Sequence, residues 1–293
     1  MRILELFCGI GSVTAAVGDS HSVVGAIDIN EHALEVYRAN FQDVTLQKEI
    51  TSLSDSVLRG FDAELWWMSP PCQPFTRRGL RKDLQDSRTH PLLRLIDAIA
   101  NIRPTRVALE NVIGFEGSDA DRKLREMFKS NGYEVATIDL CSSELGLSNL
   151  RPRFFLIASR DSRPTLSKPS RVTSQSKIES YLDPPSQLVR WNPDLDVGPG
   201  LLEEYESAVN IVSVDDEMTR CFTSGYGRSI VRSGSYLKTK NGYRRFSPTE
   251  VARFLGLPND FCLPSAINTH QAWKLLGNAV CVRAAAHVIR SLT

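Results

Sequence analysis

Long apolar runs, paired cysteines, net charge and internal repeats are all missing from this chain of 293 residues. No stretch approaches the roughly 18 consecutive apolar residues that a membrane helix needs. The opening MRILELF is broken by Glu5 and passes into a glycine-rich turn, unlike a secretory signal. An intracellular protein, of the cytoplasm or nucleus, is therefore expected. The six cysteines (Cys8, Cys72, Cys141, Cys221, Cys262, Cys281) are scattered with no C-x-x-C spacing, so reduced thiols are expected and neither a zinc site nor a disulfide scaffold. Lys+Arg of 35 against Asp+Glu of 34 leaves a formal charge of +1, and attraction by the whole molecule cannot carry binding to a polyanion. Any such binding has to come from local charge.

What is present is a 42% share of hydrophobic residues, enough to fill one large α/β domain with a smaller appendage. The first 160 residues alternate short β-branched or aromatic runs with amphipathic stretches, the pattern of βαβ units. A doubly wound, mostly parallel, Rossmann-like sheet follows, with strands at Arg2–Phe7, Val23–Asp28, Glu64–Met68, Arg106–Glu110, Tyr133–Asp139 and Phe154–Ser159. Helices are expected near Glu31–Asn40, Leu92–Asn101 and Asp119–Ser130. From about 160 to 245 the periodicity fades into Ser, Pro, Gly and polar residues, so a small domain is expected at 161–245, inserted into a large one made of 1–160 and 246–293. Ser247 and Glu250 have capping-box spacing at the start of SPTEVARFLG, and a last helix is expected over Val282–Ser291.

Charge is distributed unevenly within the insertion. Residues 218–249 carry seven basic side chains (Arg220, Arg228, Arg232, Lys238, Lys240, Arg244, Arg245) and no acid, whereas 183–217 hold nine acids and only Arg190. A charge run is ordinarily a solvated face. Here Phe222, Tyr226, Tyr236, Tyr243 and Phe246 are interleaved with the cations, as expected where bases stack and phosphates are neutralised.

Four segments carry candidate chemistry. LELFCGIGS at 4–12 places a glycine-rich turn after the first strand, which suits a nucleotide-like cofactor but equally an NAD site or a plain tight turn. Asp28, at the end of the second strand, is placed to accept hydrogen bonds from ribose hydroxyls. SPPCQPFTRRG at 69–79 sets Cys72 on a loop stiffened by Pro70, Pro71 and Pro74 at the carboxyl edge of the sheet, an odd place for a merely buried thiol. ALENV at 108–112 brings Glu110 to the same crevice, where apolar walls raise a carboxyl pKa; a salt-bridged strand end reads the same way. LRPRFFLIA at 150–158 puts Arg151 and Arg153 on one strand face, suited to an oxygen or phosphate, though alone no better than a surface pair.

Together and in this order these segments resemble the cytosine carbon-5 methyltransferases, from Arg2 to about His287. FCGIGS looks like the cofactor loop, PPCQ the nucleophile loop, ENV the acid, R-x-R the base-orienting arginines, and LLGNAV at 275–280 the segment that closes the cofactor pocket. SPPCQPFTR at 69–77, DSRT at 86–89 and CFTSGYGR at 221–228 look most like the transfer-RNA-modifying branch, the type-2 DNA methyltransferase homologues. The resemblance implies a thiolate on Cys72 that adds to carbon 6 of cytosine, Glu110 at ring nitrogen 3 and the exocyclic amine, and Arg153 helped by Arg151 at the carbonyl side. It implies S-adenosylmethionine, leaving as S-adenosylhomocysteine, held by Phe7, Gly9, Ile10, Gly11, Ser12, Asp28, Ile29, Glu49, Ile50, Pro71, Asn278 and Val280. For the nucleic acid it implies Gln73, Arg77, Arg88, Cys221, Phe222, Thr223, Tyr226 and Arg228. A monomer acting on an anticodon-loop cytosine of aspartate transfer RNA, with no metal, is the resulting expectation.

Two positions depart from the family pattern. Gly11-Ser12 stands where Gly-Gly is usual, with Ser12 expected as a helix cap, and Pro152 between the arginines is expected to leave one strand hydrogen bond unmade. Three other functions compete: a DNA cytosine methyltransferase with the same catalysis, a catalytically weak nucleic-acid-binding homologue, and an NAD enzyme. CFTSGYGR and an insertion of roughly 85 residues, short for reading a DNA sequence, favour transfer RNA over the first. The full catalytic set argues against the second, and PPCQ with ENV against the third.

Overall fold

In this computed structural model the residues described are 1–75, 83–170, 172, 175–198, 200, 204–205 and 207–292. Seven strands form the main sheet: β1 (Arg2–Leu6), β2 (Ser22–Asp28), β3 (Thr45–Gln47), β4 (Leu65–Met68), β5 (Arg106–Asn111), β6 (Glu134–Cys141) and β8 (Pro152–Ser159), with the short β7 (Asn149–Leu150) before the last. Their order is β3-β2-β1-β4-β5-β8-β6, and β8 alone runs antiparallel to its neighbours β5 and β6. The chain moves outward from β1 through β2 to β3, then returns to lay β4 on the other side of β1. That reversal opens a crevice at the carboxyl ends of β1 and β4, where ligands bind in doubly wound sheets. The loops that carry Gly9 and Cys72 follow these two strands.

Near-continuous apolar runs make these strands because both faces of the sheet are covered. Successive residues feed opposite cores: Ile3, Leu65, Trp67, Ala108, Phe155 and Ile157 pack on one face, and Leu4, Trp66, Met68, Val107, Leu109, Phe154 and Leu156 on the other. The second face receives α4 (His90–Ile102) and α5 (Asp119–Ser130) through Leu92, Leu95, Ile96, Ile99, Leu124 and Phe128. Helices α1 (Ser12–Val17), α2 (Glu31–Asn40) and the C-terminal Val282–Arg290 cover the first. Helix α3 (Asp55–Gly60) completes the N-terminal half. Side-chain caps start several helices where the sequence supplies them: Asn30 accepts from the His32 N–H, Ser54 from Val57 and Ser118 from Asp121.

A second sheet, in the order β10-β12-β13-β9, is built from β9 (Asp196–Val197), β10 (Asn210–Val212), β12 (Ser235–Thr239) and β13 (Gly242–Arg245). Strand β11 (Thr219–Arg220) pairs with β7, so the polar insertion is stitched to the chain just ahead of Arg151. Past the one-turn helix α6 (Pro185–Leu188), helices α7 (Pro248–Phe254), α8 (Thr269–Asn278) and α9 (Val282–Arg290) close the fold. Ser247 and Glu250 cap α7 reciprocally, as their spacing predicts. A helix after the glycine turn was expected from Ser12, but the sequence reading did not reveal α3, α8, β3 or the second sheet. The reversal of β8 was not anticipated either. Among the described residues no helix is long and apolar enough to cross a membrane.

Candidate active site

The turn after β1 is shaped by backbone geometry that few residues tolerate. Phe7, Gly9 and Gly11 take φ of 59°, 54° and 83°. A methyl at Gly11 would also overlap the Phe41 and Tyr37 rings, so glycine is required there twice over. Gly11 is itself the cap of α1, and Ser12 is the first helical residue rather than the cap expected for it. Its hydroxyl is buried and has no partner. Asp28 faces this turn: its carboxylate accepts the Gly9 N–H at 2.9 Å and the Asn30 N–H at 2.8 Å. Burial raises its pKa above the ordinary carboxylate value.

Across the crevice, the proline-rich loop after β4 is held by side chains flanking the strands. The Asn111 amide donates to the Pro70 carbonyl at 3.0 Å, the Trp67 indole donates to Ser69 Oγ at 3.0 Å, and Phe75 N–H donates to the Cys72 carbonyl at 3.0 Å. Cys72 is half-buried on this loop. Burial pushes its thiol up, Glu110 adds to that, and Arg153 and Arg151 oppose it without prevailing. Glu110, at the end of β5, is 7% exposed. Its carboxyl is raised by the same burial, against the pull of the two guanidiniums, and Arg153 Nε lies 3.1 Å from its Oε1.

One cavity of about 280 Å³ joins these parts. Phe7, Gly9, Ser12, Asp28, Ile29, Asn278 and Val280 line it together with Pro71, Cys72, Gln73, Arg88, Glu110, Arg151 and Arg153. A neighbouring cavity of about 540 Å³ shares Phe7, Asp28, Ile29, Pro71 and Arg88 and adds Glu49 and Ile50. Residues expected to meet a cofactor thus fall along one continuous trough, save Ile10 and Gly11, which are buried beneath it. Arg77 lies outside the described residues.

The whole chain, residues 1–293, matches the family described as C-5 cytosine-specific DNA methylase. It belongs to this family. The chain is 30% identical over 386 aligned residues to a human tRNA (cytosine(38)-C(5))-methyltransferase, covering all of this chain and 99% of that protein. It is 29% identical to a Dictyostelium discoideum DNA (cytosine-5)-methyltransferase, covering 100% of this chain and 94% of that one. The crystal structure of the S. pombe Dnmt2 methyltransferase superposes with a TM-score of 0.87 at 28% identity, covering 100% of this chain and 98% of that chain.

In this cytosine-5 methyltransferase the two arginines of R-x-R behave differently. Arg151 is 2% exposed and spends its guanidinium on the protein itself. Its Nη1 donates to Cys221 Sγ at 3.3 Å and the Phe222 carbonyl at 2.8 Å, and its Nη2 to the carbonyls of Gly277 at 3.0 Å and Ala279 at 2.6 Å. It clamps residues 221–222 and 277–279 together while still reaching the wall of the Cys72 cavity. Burial alone would push the Cys221 thiol up, but Arg151 and Arg153 outweigh it and hold the thiol below its ordinary value. Pro152 opens β8 opposite Cys141, so its missing N–H falls at the strand end.

The aromatic-stacking expectation for the insertion is also corrected. Phe222, Tyr226, Tyr236 and Phe246 are at most 1% exposed and pack on one another, with Phe222 and Tyr226 centroids 5.0 Å apart. Tyr226 donates to the Ser235 carbonyl at 2.6 Å and accepts from the Phe246 N–H at 2.9 Å. Burying these rings gains more than exposing them, and alternation with charge reflects their inward faces. Of the seven cations, Arg244 pairs with buried Glu250 at 2.7 Å and Arg245 reaches the Asp194 and Asp196 carbonyls. Arg220, Arg228, Arg232, Lys238 and Lys240 remain exposed. Cys221 and Thr223 line a different cavity, near β7, from the one that holds Cys72. Sequence reasoning missed Asn111 as a tie to the loop that carries Cys72, although it directly follows Glu110 in ENV.

Proposed function

We propose that this methyltransferase takes S-adenosylmethionine as donor and methylates carbon 5 of an anticodon-loop cytosine in transfer RNA, aspartate transfer RNA in particular, through a covalent bond from Cys72. The observation that carries this reading is the single cavity lined both by the glycine turn, Asp28 and Asn278 and by Cys72, Glu110 and Arg153. The donor residues fit the cofactor. Open space surrounds the position a Cβ would take at Gly9, so a ligand can approach the backbone closely. Asp28 sits at a strand end as a ribose-binding acid does, exposed Ile29 and Pro71 offer apolar walls to an adenine, and the unpartnered Ser12 hydroxyl is free to meet a polar group.

The bound cofactor supplies an electrophilic methyl group. Cys72, once deprotonated, adds its sulfur to carbon 6 of the ring, and carbon 5 becomes nucleophilic. Glu110, whose burial favours the protonated form, hydrogen-bonds ring nitrogen 3 and steadies the charge that develops there. Arg153 holds the Glu110 carboxyl in place and faces the base carbonyl. After carbon 5 has gained the methyl and lost its proton, the sulfur–carbon 6 bond breaks and Cys72 is released. A stacked base cannot reach this cavity, so the target is extruded from its loop.

Transfer RNA as substrate is supported by the similarity to the human tRNA (cytosine(38)-C(5))-methyltransferase and by the outward cations of the insertion. The test is transfer of labelled methyl from S-adenosylmethionine to transfer RNA, with bisulfite sequencing to locate it. Label in the anticodon loop, lost in Cys72→Ala, is expected. Label in duplex DNA and none in transfer RNA overturns the substrate.

A further inference from the structure

Beside the Cys72 cavity, across the R-x-R segment, lies a larger one of about 650 Å³ that neither the catalytic reading nor the cofactor reading uses. Strand alternation creates it. Arg151 and Arg153 line the Cys72 cavity, whereas Leu150 and Pro152 point the other way and form part of the second wall. The opposite wall comes from the insertion: Ala208, Val209, Arg220, Thr223 and Arg232 among others. The two cavities are one hydrogen bond apart, since Cys221 lines the second and its sulfur accepts from Arg151 of the first at 3.3 Å.

The charge in this second cavity is uncompensated. Arg220 and Arg232 are both exposed, and among the described residues no acid lines the cavity with them and neither guanidinium has a hydrogen-bond or ion-pair partner. Three neighbouring arginines of the basic segment are engaged: Arg244 with Glu250, Arg245 with two carbonyls, Arg228 with the Ser224 carbonyl. Arg232 moreover adopts φ 57°, a conformation natural to glycine. Two cations facing one apolar-walled space repel each other until an anion joins them. A phosphate diester takes charge-assisted hydrogen bonds from both.

We propose that this cavity receives the nucleotide next to the target cytosine, its backbone phosphate bound between Arg220 and Arg232 and its nucleoside against Leu150, Pro152 and Val209. This rests on the reading of the substrate as a nucleic acid. An enzyme that extrudes a base has to hold the flanking backbone in register, and phosphate contacts do that without reading sequence.

The test is a walk of single methylphosphonate linkages, which are uncharged, through the loop of a hairpin RNA containing the target cytosine. Affinity for full-length protein is measured for the wild type and for R220Q/R232G. Glycine at 232 suits the backbone there, so the variant keeps its melting temperature and its affinity for S-adenosylhomocysteine. Neutralising one linkage within two positions of the target is expected to weaken wild-type binding about tenfold, the loss of roughly one charged hydrogen-bond pair. In R220Q/R232G, binding of unmodified RNA falls by about the same factor, and that linkage then matters less than twofold. Equal sensitivity at every linkage, or an undiminished effect of that linkage in the variant, overturns the proposal. If the wild type binds and methylates only duplex DNA, the transfer RNA reading fails. The same walk on DNA then decides the cavity by the same criterion.

Discussion

Glu110 and Arg153 meet at 3.1 Å across two antiparallel strands, with the carboxyl 10% and the guanidinium 14% exposed at the side chain. The pair is buried together, so each group limits the other's freedom and neither is idle surface charge. Glu110→Gln keeps the shape and one acceptor but cannot share a proton with the ring. Methyl transfer is expected to fall on the order of 100-fold, with affinity for S-adenosylhomocysteine unchanged within twofold. Single-turnover kinetics and equilibrium titration check both halves.

Arg151 ties residues 222, 277 and 279 to β8 through hydrogen bonds from a buried guanidinium. Removing it takes a charged donor away from three carbonyls. Arg151→Ala is expected to cost about 3 kcal/mol or more of stability, and Arg151→Lys to recover little, because an ammonium cannot span that fork. Denaturant unfolding of the two variants provides the measurement.

Gly277 touches the 223–224 backbone so closely that a methyl group would overlap the Thr223 carbonyl and the Ser224 N–H. These are main-chain atoms with nowhere to move. Gly277→Ala is therefore expected to destabilise by about 2 kcal/mol and to loosen residues 221–228 from α8. Faster amide exchange across 221–228 in the variant is the signature to look for.

The Cys72 thiol is raised and the Cys221 thiol lowered. A group held in its neutral form ionises later as pH rises. Alkylation at Cys72, followed by mass spectrometry with pH, is expected to show a midpoint above that of an ordinary thiol. Any modification at Cys221 should show one below it. A midpoint for Cys72 under the ordinary value would contradict the burial that governs it.

Glu5, on β1 ahead of the glycine turn, is 2% exposed, accepts from Thr14 at 2.7 Å and has its pKa pushed up to about 8 by burial. The unfolded chain releases this proton near the ordinary value of 4.5, the folded one only near 8. Folded protein therefore holds a proton that unfolded protein lacks throughout that window, and stability falls as pH rises through it. The slope from this group is at most about 1.4 kcal/mol per pH unit. Melting temperatures from pH 5 to 9 should decline less steeply in Glu5→Gln than in the wild type.

Much of the fold was legible because its strands are buried on both faces and therefore read as apolar runs, and because helices such as Glu31–Asn40 and Asp119–Ser130 carry caps and a clear apolar stripe. The candidate site was legible for a different reason: Asp28 and Glu110 stand at the ends of strands and Cys72 on the loop that follows one, and strand ends on one side of such a sheet converge. The second sheet was not legible. Its strands are two to five residues long, and Val212 and Leu237 from them join a core shared with Trp191, Phe222 and Trp273, residues distant in sequence.

Local sequence determined which residues arrive at the crevice, since a glycine turn, a proline-stiffened loop and a strand end are set by near neighbours. Only the tertiary structure decided what each arginine does there. Arg151 and Arg153 are two residues apart on one face and indistinguishable as sequence. One meets Glu110 and the other meets backbone carbonyls from segments some 70 and 126 residues away. The same holds for the insertion, where Tyr226 turned inward and Arg220 outward. Partners of that kind are chosen by which surfaces pack together, and packing is a property of the whole chain.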